Sequence, residues 1–372
     1  MKIPFTLILA LAGAPAVFAQ EAPPPPAPEP APAEAAPATP TPAPSPTPRP
    51  KPLSARELIN GLSESQIEQA ISSLRSNFLD ASRLDDKELR RATLQGLIAR
   101  LSPGVSLKEA ATPEPASSSE FLAEILDDRI GYVRLGALNK EALPQMDAAL
   151  ANFKEKSLHA AILDLRGAPP SADYEVAKEI ASRFCPKGKL LFTIQKPSEK
   201  QERILTSSLD PAFDGVLVVL TDADTSGSAE ALAATLRLNA NAMIVGETTS
   251  GEAVEFANVD LGDGKTLRVA VAQVILPETG AIFPEGVKPD IAAGLPPGVQ
   301  ERIFALSMEK GVSQFVFEKE RPHLNEAALV ANTNPEIDAN RDATRGEERL
   351  WDSVLQRAVD LVTAISFYSD RK

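Results

Sequence analysis

The stretch Gly215–Leu238, GVLVVLTDADTSGSAEALAATLRL, constrains this chain more than any other. A continuous β-branched and aliphatic run, Val216 to Leu220, opens it. A turn of small residues follows, Asp222 to Ser228, and then a helical pattern from Ala229 to Leu238. Strand, tight turn and helix in succession lift one residue at the turn into a cleft, the geometry of a nucleophile elbow.

The surrounding sequence supplies a sheet for such an elbow. Strand signals fall at Ile130–Leu135, Ala160–Leu165, Leu190–Ile194, Ala242–Val245 and Leu267–Leu276. Helical patterns fall between them at Glu141–Lys154 and Tyr174–Phe184. This alternation predicts an α/β core over 120–295 with a mainly parallel sheet and helices on both sides. Helical periodicity returns at Val299–Phe317, Leu324–Val330 and Leu350–Ile365, around a polar loop at Asn332–Gly346. The region 296–372 therefore reads as helices packing on the core, with a structural role.

Before the core, residues 54–109 read as a helical segment. Ser63 is placed to cap and Gln66 to reach back. Ile67, Ile71, Leu74 and Phe78 then lie on one helix face. A second helix starts at Asp85–Glu88 and stops at Ser102-Pro103-Gly104. These stripes must pack on the main domain or on a second copy, which would make a homodimer. Residues 110–119 (ATPEPASSS and its neighbour) form a short linker. Residues 20–53 are mostly Pro and Ala and cannot bury enough apolar surface to fold. They read as an extended, semi-rigid spacer. Residues 1–19 read as a cleaved export leader: Lys2, an apolar run from Phe5 to Ala12, and the small-x-small site Val17-Phe18-Ala19. The chain is expected in the periplasm or outside the cell.

Composition narrows the chemistry. Net charge is −13, with no basic patch, so nucleic acid is not an expected partner. One cysteine, Cys185, and two histidines, His159 and His323, supply neither a disulfide nor a zinc site nor a charge-relay triad. No cofactor or metal is expected. Asp222, Asp224, Asp260 and Asp263 lack calcium-loop spacing and read as solvated carboxylates. Cys185 reads as a small buried hydrophobe, His159 as structural, and Asp164 with Arg166 as a structural ion pair.

Ordered blocks along the chain resemble the C-terminal processing (tail-specific) serine peptidases. Ile130-Gly131-Tyr132-Val133-Arg134-Leu135 resembles that family's GYIRL strand, and Leu163-Asp164-Leu165-Arg166 its LDLR strand. Phe184-Cys185-Pro186-Lys187-Gly188 is similar to its FLPKG turn and Gly246-Glu247-Thr248-Thr249 to its GERT element. Pro277–Gly280 and Gly286–Ile291 are similar to PSG and GIxPDI. The helical segment from Phe78 to Pro103 resembles the one that usually ends in DPHS. The resemblance covers most of Ser63–Ile291 and implies a ClpP/crotonase-like core and a Ser-Lys peptidase.

Two departures bear on function. A PDZ domain usually precedes the GYIRL strand, and here Gly104–Arg129 is too short for one. The dyad is also missing. The family elbow reads GSASASE, with the nucleophile three residues before the glutamate; counting from Glu230 puts Gly227 there. The lysine position falls on Glu252, and 252 − 227 = 25 is the family's dyad separation. The polar residue four places on falls on Phe256. Glycine has no side chain to attack a carbonyl, and a carboxylate is a poor acceptor for a serine proton. The family's LDLRNNPGG strand end, which supplies an oxyanion N–H, corresponds to Leu163–Ser171, where Pro169 and Pro170 have no N–H to give.

The expectation is a non-catalytic homologue that binds peptide or protein, acting as a scaffold or regulator. Two alternatives stand beside it: an active endopeptidase with Ser226 or Ser228 as a relocated nucleophile, and a structural envelope protein with a filled cleft. In the non-catalytic reading, Ser226 and Ser228 simply cap the helix.

Overall fold

The computed structural model describes residues 54–80, 84–109, 120–317 and 350–369. The expected leader, Pro/Ala spacer, linker 110–119, helix Leu324–Val330, polar loop Asn332–Gly346 and His323 lie outside the described residues. The chain divides into two compact units, Met1–Phe78 and Leu79–Lys372.

The first unit holds α1 (Ala55–Asn60) and α2 (Glu64–Asn77). Each begins with a reciprocal box: Ser54 with Glu57, and Ser63 with Gln66. The Gln66 N–H donates to Ser63 Oγ, and the Ser63 N–H donates to Gln66 Oε1 at 2.8 Å. The stripe Ile67, Ile71, Leu74 and Phe78 is exposed.

The second unit opens with α3 (Asp86–Leu101), capped by Asp85. The chain then forms β1 (Val105–Glu109), a strand inside the stretch expected to be helical. The core follows as two sheets. The first contains β2 (Leu122–Leu126), β3 (Ile130–Arg134), β4 (Ala160–Asp164), β7 (Val216–Thr221), β8 (Met243–Gly246) and β12 (Ile291–Ala292). Its order is β12-β8-β7-β4-β3-β2, parallel except for β2. The second contains β1, β5 (Leu190–Lys196), β6 (Gln201–Thr206), β9 (Val254–Asp260), β10 (Lys265–Leu276) and β11 (Gly280–Ala281), and is antiparallel throughout.

The expected mainly parallel sheet is therefore only half of the β-structure. The reason lies in β6 and β9. β6 is exposed except at Leu205 and β9 is half-buried to exposed beyond Val254, so they lack the apolar run by which a strand announces itself. Short hairpin turns close them onto β5 and β10, and short turns join only antiparallel strands.

Neighbouring residues of β3, β4 and β7 point to opposite faces. Val133, Leu163 and Val219 join the larger cluster, which also takes in α4 (Ala142–Glu155), α5 (Tyr174–Ala181) and α6 (Ser228–Ala240). Tyr132, Ile162, Val218 and Leu220 join a second cluster, with Leu355, Ala358, Val359 and Val362 of α8 (Ser353–Ser369). Both faces are covered, which is why these strands are apolar without alternation. Helix α6 touches β7 and β8 on one side and β5 and β10 on the other. It is buried on every side from Ser228 to Leu236, and its alanines allow the two sheets to approach. Helix α7 (Val299–Lys310) ends at Gly311, earlier than the expected Phe317, and α5 ends at Ala181 rather than Phe184.

The C-terminal helix is held by charge as well as by apolar contact. The Arg166 guanidinium is fully buried between Asp164 (2.7 Å) and Asp352 (2.8 Å). The Tyr132 hydroxyl donates to Asp164 at 2.8 Å. Burial works against the Arg166 charge, and the two carboxylates more than offset it, so its pKa lies well above the usual value. Asp352 also caps α8 by accepting the Leu355 N–H at 2.9 Å. Removing one partner leaves a buried charge uncompensated, so Asp352→Asn is expected to lower stability by about 3–5 kcal/mol in denaturant titration.

Candidate functional site at the β7–α6 elbow

The elbow forms as the sequence predicts. β7 ends at Thr221, α6 starts at Ser228, and Gly227 stands between them as the N-cap with φ 60° and ψ −120°. Only glycine adopts that conformation freely.

Space at Gly227 is also closed. A Cβ there would lie 2.2 Å from the Ser171 carbonyl oxygen. The Ser228 N–H donates to the same oxygen at 2.7 Å, and Ser171 and Gly227 form an isolated parallel β-bridge. The donors near the strand end are likewise engaged or missing. The Gly167 N–H donates to Asp222 Oδ2 at 2.9 Å and the Ala168 N–H to the Leu165 carbonyl, while Pro169 and Pro170 have none.

Glu230 is the fixed point beneath the turn. Its side chain is fully buried. Oε2 accepts the N–H of Gly227 at 3.0 Å and of Glu252 at 2.7 Å. Oε1 accepts the Gly251 N–H at 2.6 Å and the Thr249 hydroxyl at 2.5 Å. Gly227 and Glu252 therefore donate to one and the same oxygen atom, which brings together two positions 25 residues apart. Burial pushes the Glu230 carboxyl up from its ordinary range, against the pull of these donors.

The Glu252 carboxylate turns to Arg268 Nη1 at 3.3 Å. The Arg268 guanidinium in turn lies 3.5 Å above the centre of the Phe256 ring. Phe256 is half-buried in this stack.

Ser226 and Ser228 depart from expectation. Neither hydroxyl caps α6. Both are buried and have no hydrogen-bond partner among the described residues. Glu230 supplies the cap instead, because Gly227 places its own N–H toward that carboxylate. Asp222 is not a solvated carboxylate either. It is buried and accepts from Thr225 N–H and Oγ1 (both 2.7 Å), Gly167 N–H and Gln300 Nε2 (2.7 Å). The Asp-x-x-Thr spacing was the sequence signal for part of this. The roles of Ser171 and Arg268 had none, because both depend on pairings made by other strands.

Of the other marked residues, Cys185 is buried and its thiol is pushed up to about 12 by burial. His159 is exposed, and its carbonyl accepts the Val216 N–H. Among the described residues no group of three or more His, Cys, Asp or Glu could hold a metal ion.

Residues 129–293, which contain this elbow, match the model of peptidase family S41. That segment makes up less than half of the chain, and its relatives below are carboxyl-terminal-processing proteases. It is 29% identical over 196 residues to the carboxyl-terminal-processing protease of Synechocystis sp., covering 51% of this chain and 45% of that protein. It is 27% identical over 174 residues to the carboxy-terminal processing protease CtpA of Bacillus subtilis (strain 168), covering 47% and 37%. The match thus spans less than half the length of these relatives. A solved photosystem II D1 C-terminal processing protease superposes with a TM-score of 0.40 at 23% identity, covering 56% of this chain and 53% of that one; a likeness this loose carries no argument.

Glu230→Gln turns one acceptor into a donor facing backbone N–H groups. Each buried group left unsatisfied costs about 1–3 kcal/mol, so a loss of roughly 2–4 kcal/mol is expected in denaturant titration. The pH dependence has a definite sign. A carboxyl whose folded pKa is raised stabilises the fold most below its unfolded pKa of about 4.3 and loses that contribution as pH rises through the folded pKa. The advantage of the natural chain over Glu230→Gln should therefore shrink from pH 4 upward. An advantage that grows over that range would contradict the assignment.

Proposed function

We propose that this protein is a non-catalytic member of its family that binds an extended peptide or an unfolded segment of a protein, as an exported scaffold or regulator. One observation carries the reading: the position expected to bear the nucleophile has no side chain, and the Ser171 carbonyl stands where a Cβ would be. The neighbouring groups support it. Glu252, at the position expected to bear the base, is an acid paired with Arg268, and Pro169 and Pro170 cannot donate to an oxyanion. Removing a single oxyanion donor costs about 2.7–4 kcal/mol of transition-state stabilisation. In this reading no PDZ module gates the site.

Export rests on the leader-like residues 1–19; among the described residues no helix is long and apolar enough to cross a membrane. Self-association through α2 is part of the same proposal. Its stripe leaves Ile71 42% and Leu74 53% exposed, enough to favour a partner surface. Ile71→Asp with Leu74→Asp should convert a dimer to a monomer in light scattering, and a natural chain that is monomeric throughout would refute this.

The central test is turnover of an unstructured protein by the purified chain, beside Gly227→Ser/Glu252→Lys. No cleavage is expected from the natural chain. Cleavage that persists through purification and vanishes with Ser226→Ala or Ser228→Ala would establish a relocated nucleophile instead. The double variant is also expected to stay inactive, because φ 60° and ψ −120° strain any side chain at 227 and Pro169 and Pro170 still supply no oxyanion N–H.

A further inference from the structure

The elbow is filled by the chain's own backbone. Residues 168–172 cross it as a span anchored at both ends. At one end the Gly167 N–H is held by Asp222. At the other, Asp173 caps α5 by accepting the Val176 N–H at 3.1 Å. Between these anchors lie Pro169 and Pro170, which have no N–H and are half-buried and exposed respectively. Among the described residues, the backbone bond from span to elbow runs from the Ser228 N–H to the Ser171 C=O.

The floor is built differently. Gly227, Thr249, Gly251 and Glu252 all converge on the buried Glu230. The floor is tied from several sides; the span is tied to the elbow by one backbone rung, with Ala168 buried in the core at one end and Ser171 Oγ and the Ala172 carbonyl accepting N–H groups of Asp173 and Tyr174 at the other. The closed arrangement also leaves the Ser226 and Ser228 hydroxyls buried and unpartnered, a state that buried polar groups rarely keep.

Resting on the peptide-binding reading above, we propose that residues 168–172 are a displaceable strap. Ser171 occupies the elbow in the free protein, and an extended peptide replaces it by offering a backbone carbonyl to the Ser228 N–H. The chemistry favours such a ligand. The Ser171–Gly227 contact is already a β-bridge, so a ligand strand substitutes one rung for another. The group freed by opening is the Ser228 backbone N–H, which suits the carbonyl of a neutral peptide backbone. An anion is disfavoured, because the Glu230 carboxylate lies directly under the turn.

Native-state hydrogen exchange of the Ser228 amide, compared with Leu163 and Val219 in the sheet, tests the strap itself. Exchange at Ser228 at least 100-fold faster than in the sheet is expected; equal rates would mean that the span opens only with global unfolding and would overturn the proposal. Pro169→Gly/Pro170→Gly, which loosens the span without touching the floor, tests displacement with β-casein as the unfolded probe. At least fivefold tighter binding than to the natural chain is expected. Measurable binding with unchanged or weaker affinity would also overturn it. Fast Ser228 exchange with no casein binding to either protein would refute the peptide-binding reading, and with it displacement by peptide, while the strap's opening stood.

Discussion

The carboxylate of Glu230 is the constraint on which the site depends. It comes from the first turn of α6, and the groups it holds come from the elbow and from the loop between β8 and β9. Bringing a carboxylate out of water is costly unless donors replace the lost hydration. Here four close donors do so, three of them backbone N–H groups. That set fixes the backbone of Gly227 and Glu252 regardless of their side chains.

The second fixed point is the buried charge cluster at the ends of β3 and β4. Arg134 is fully buried, with Ser307 Oγ at 3.0 Å and its guanidinium over the Phe304 ring at 4.3 Å. Arg166 is buried beside it, stacked more loosely on the same ring. Arg166 pairs with Asp164 from the core and with Asp352 from the C-terminal segment. Without Asp352 the core would carry an excess positive charge out of water, so α8 completes the electrostatics of the domain as well as its apolar cover.

Much of this was legible in the sequence. The strands β3, β4 and β7 declared themselves because burial on both faces makes them apolar throughout. The helix starts at Ser63 and Asp85 were written in capping residues, since a cap is local chemistry. The approach of 227 to 252 followed from ordered motifs. β6 and β9 were not legible: they are half-solvated strands whose stability comes from the partner they pair with. The buried state of Asp222 was missed for a similar reason, since Gly167 and Gln300 reach it from distant parts of the chain.

The sequence by itself determined which atoms the site can contain. It leaves 227 without a side chain, puts a carboxylate at 252 and leaves 169 and 170 without an N–H, because composition at a position is independent of folding. Only the tertiary structure decided what lies against these positions. The Ser171 carbonyl lies over Gly227, Arg268 turns to Glu252, and Asp352 meets Arg166 from 186 positions away. These contacts join segments far apart in sequence. Their geometry is set by how the two sheets close on α6, which no local pattern encodes.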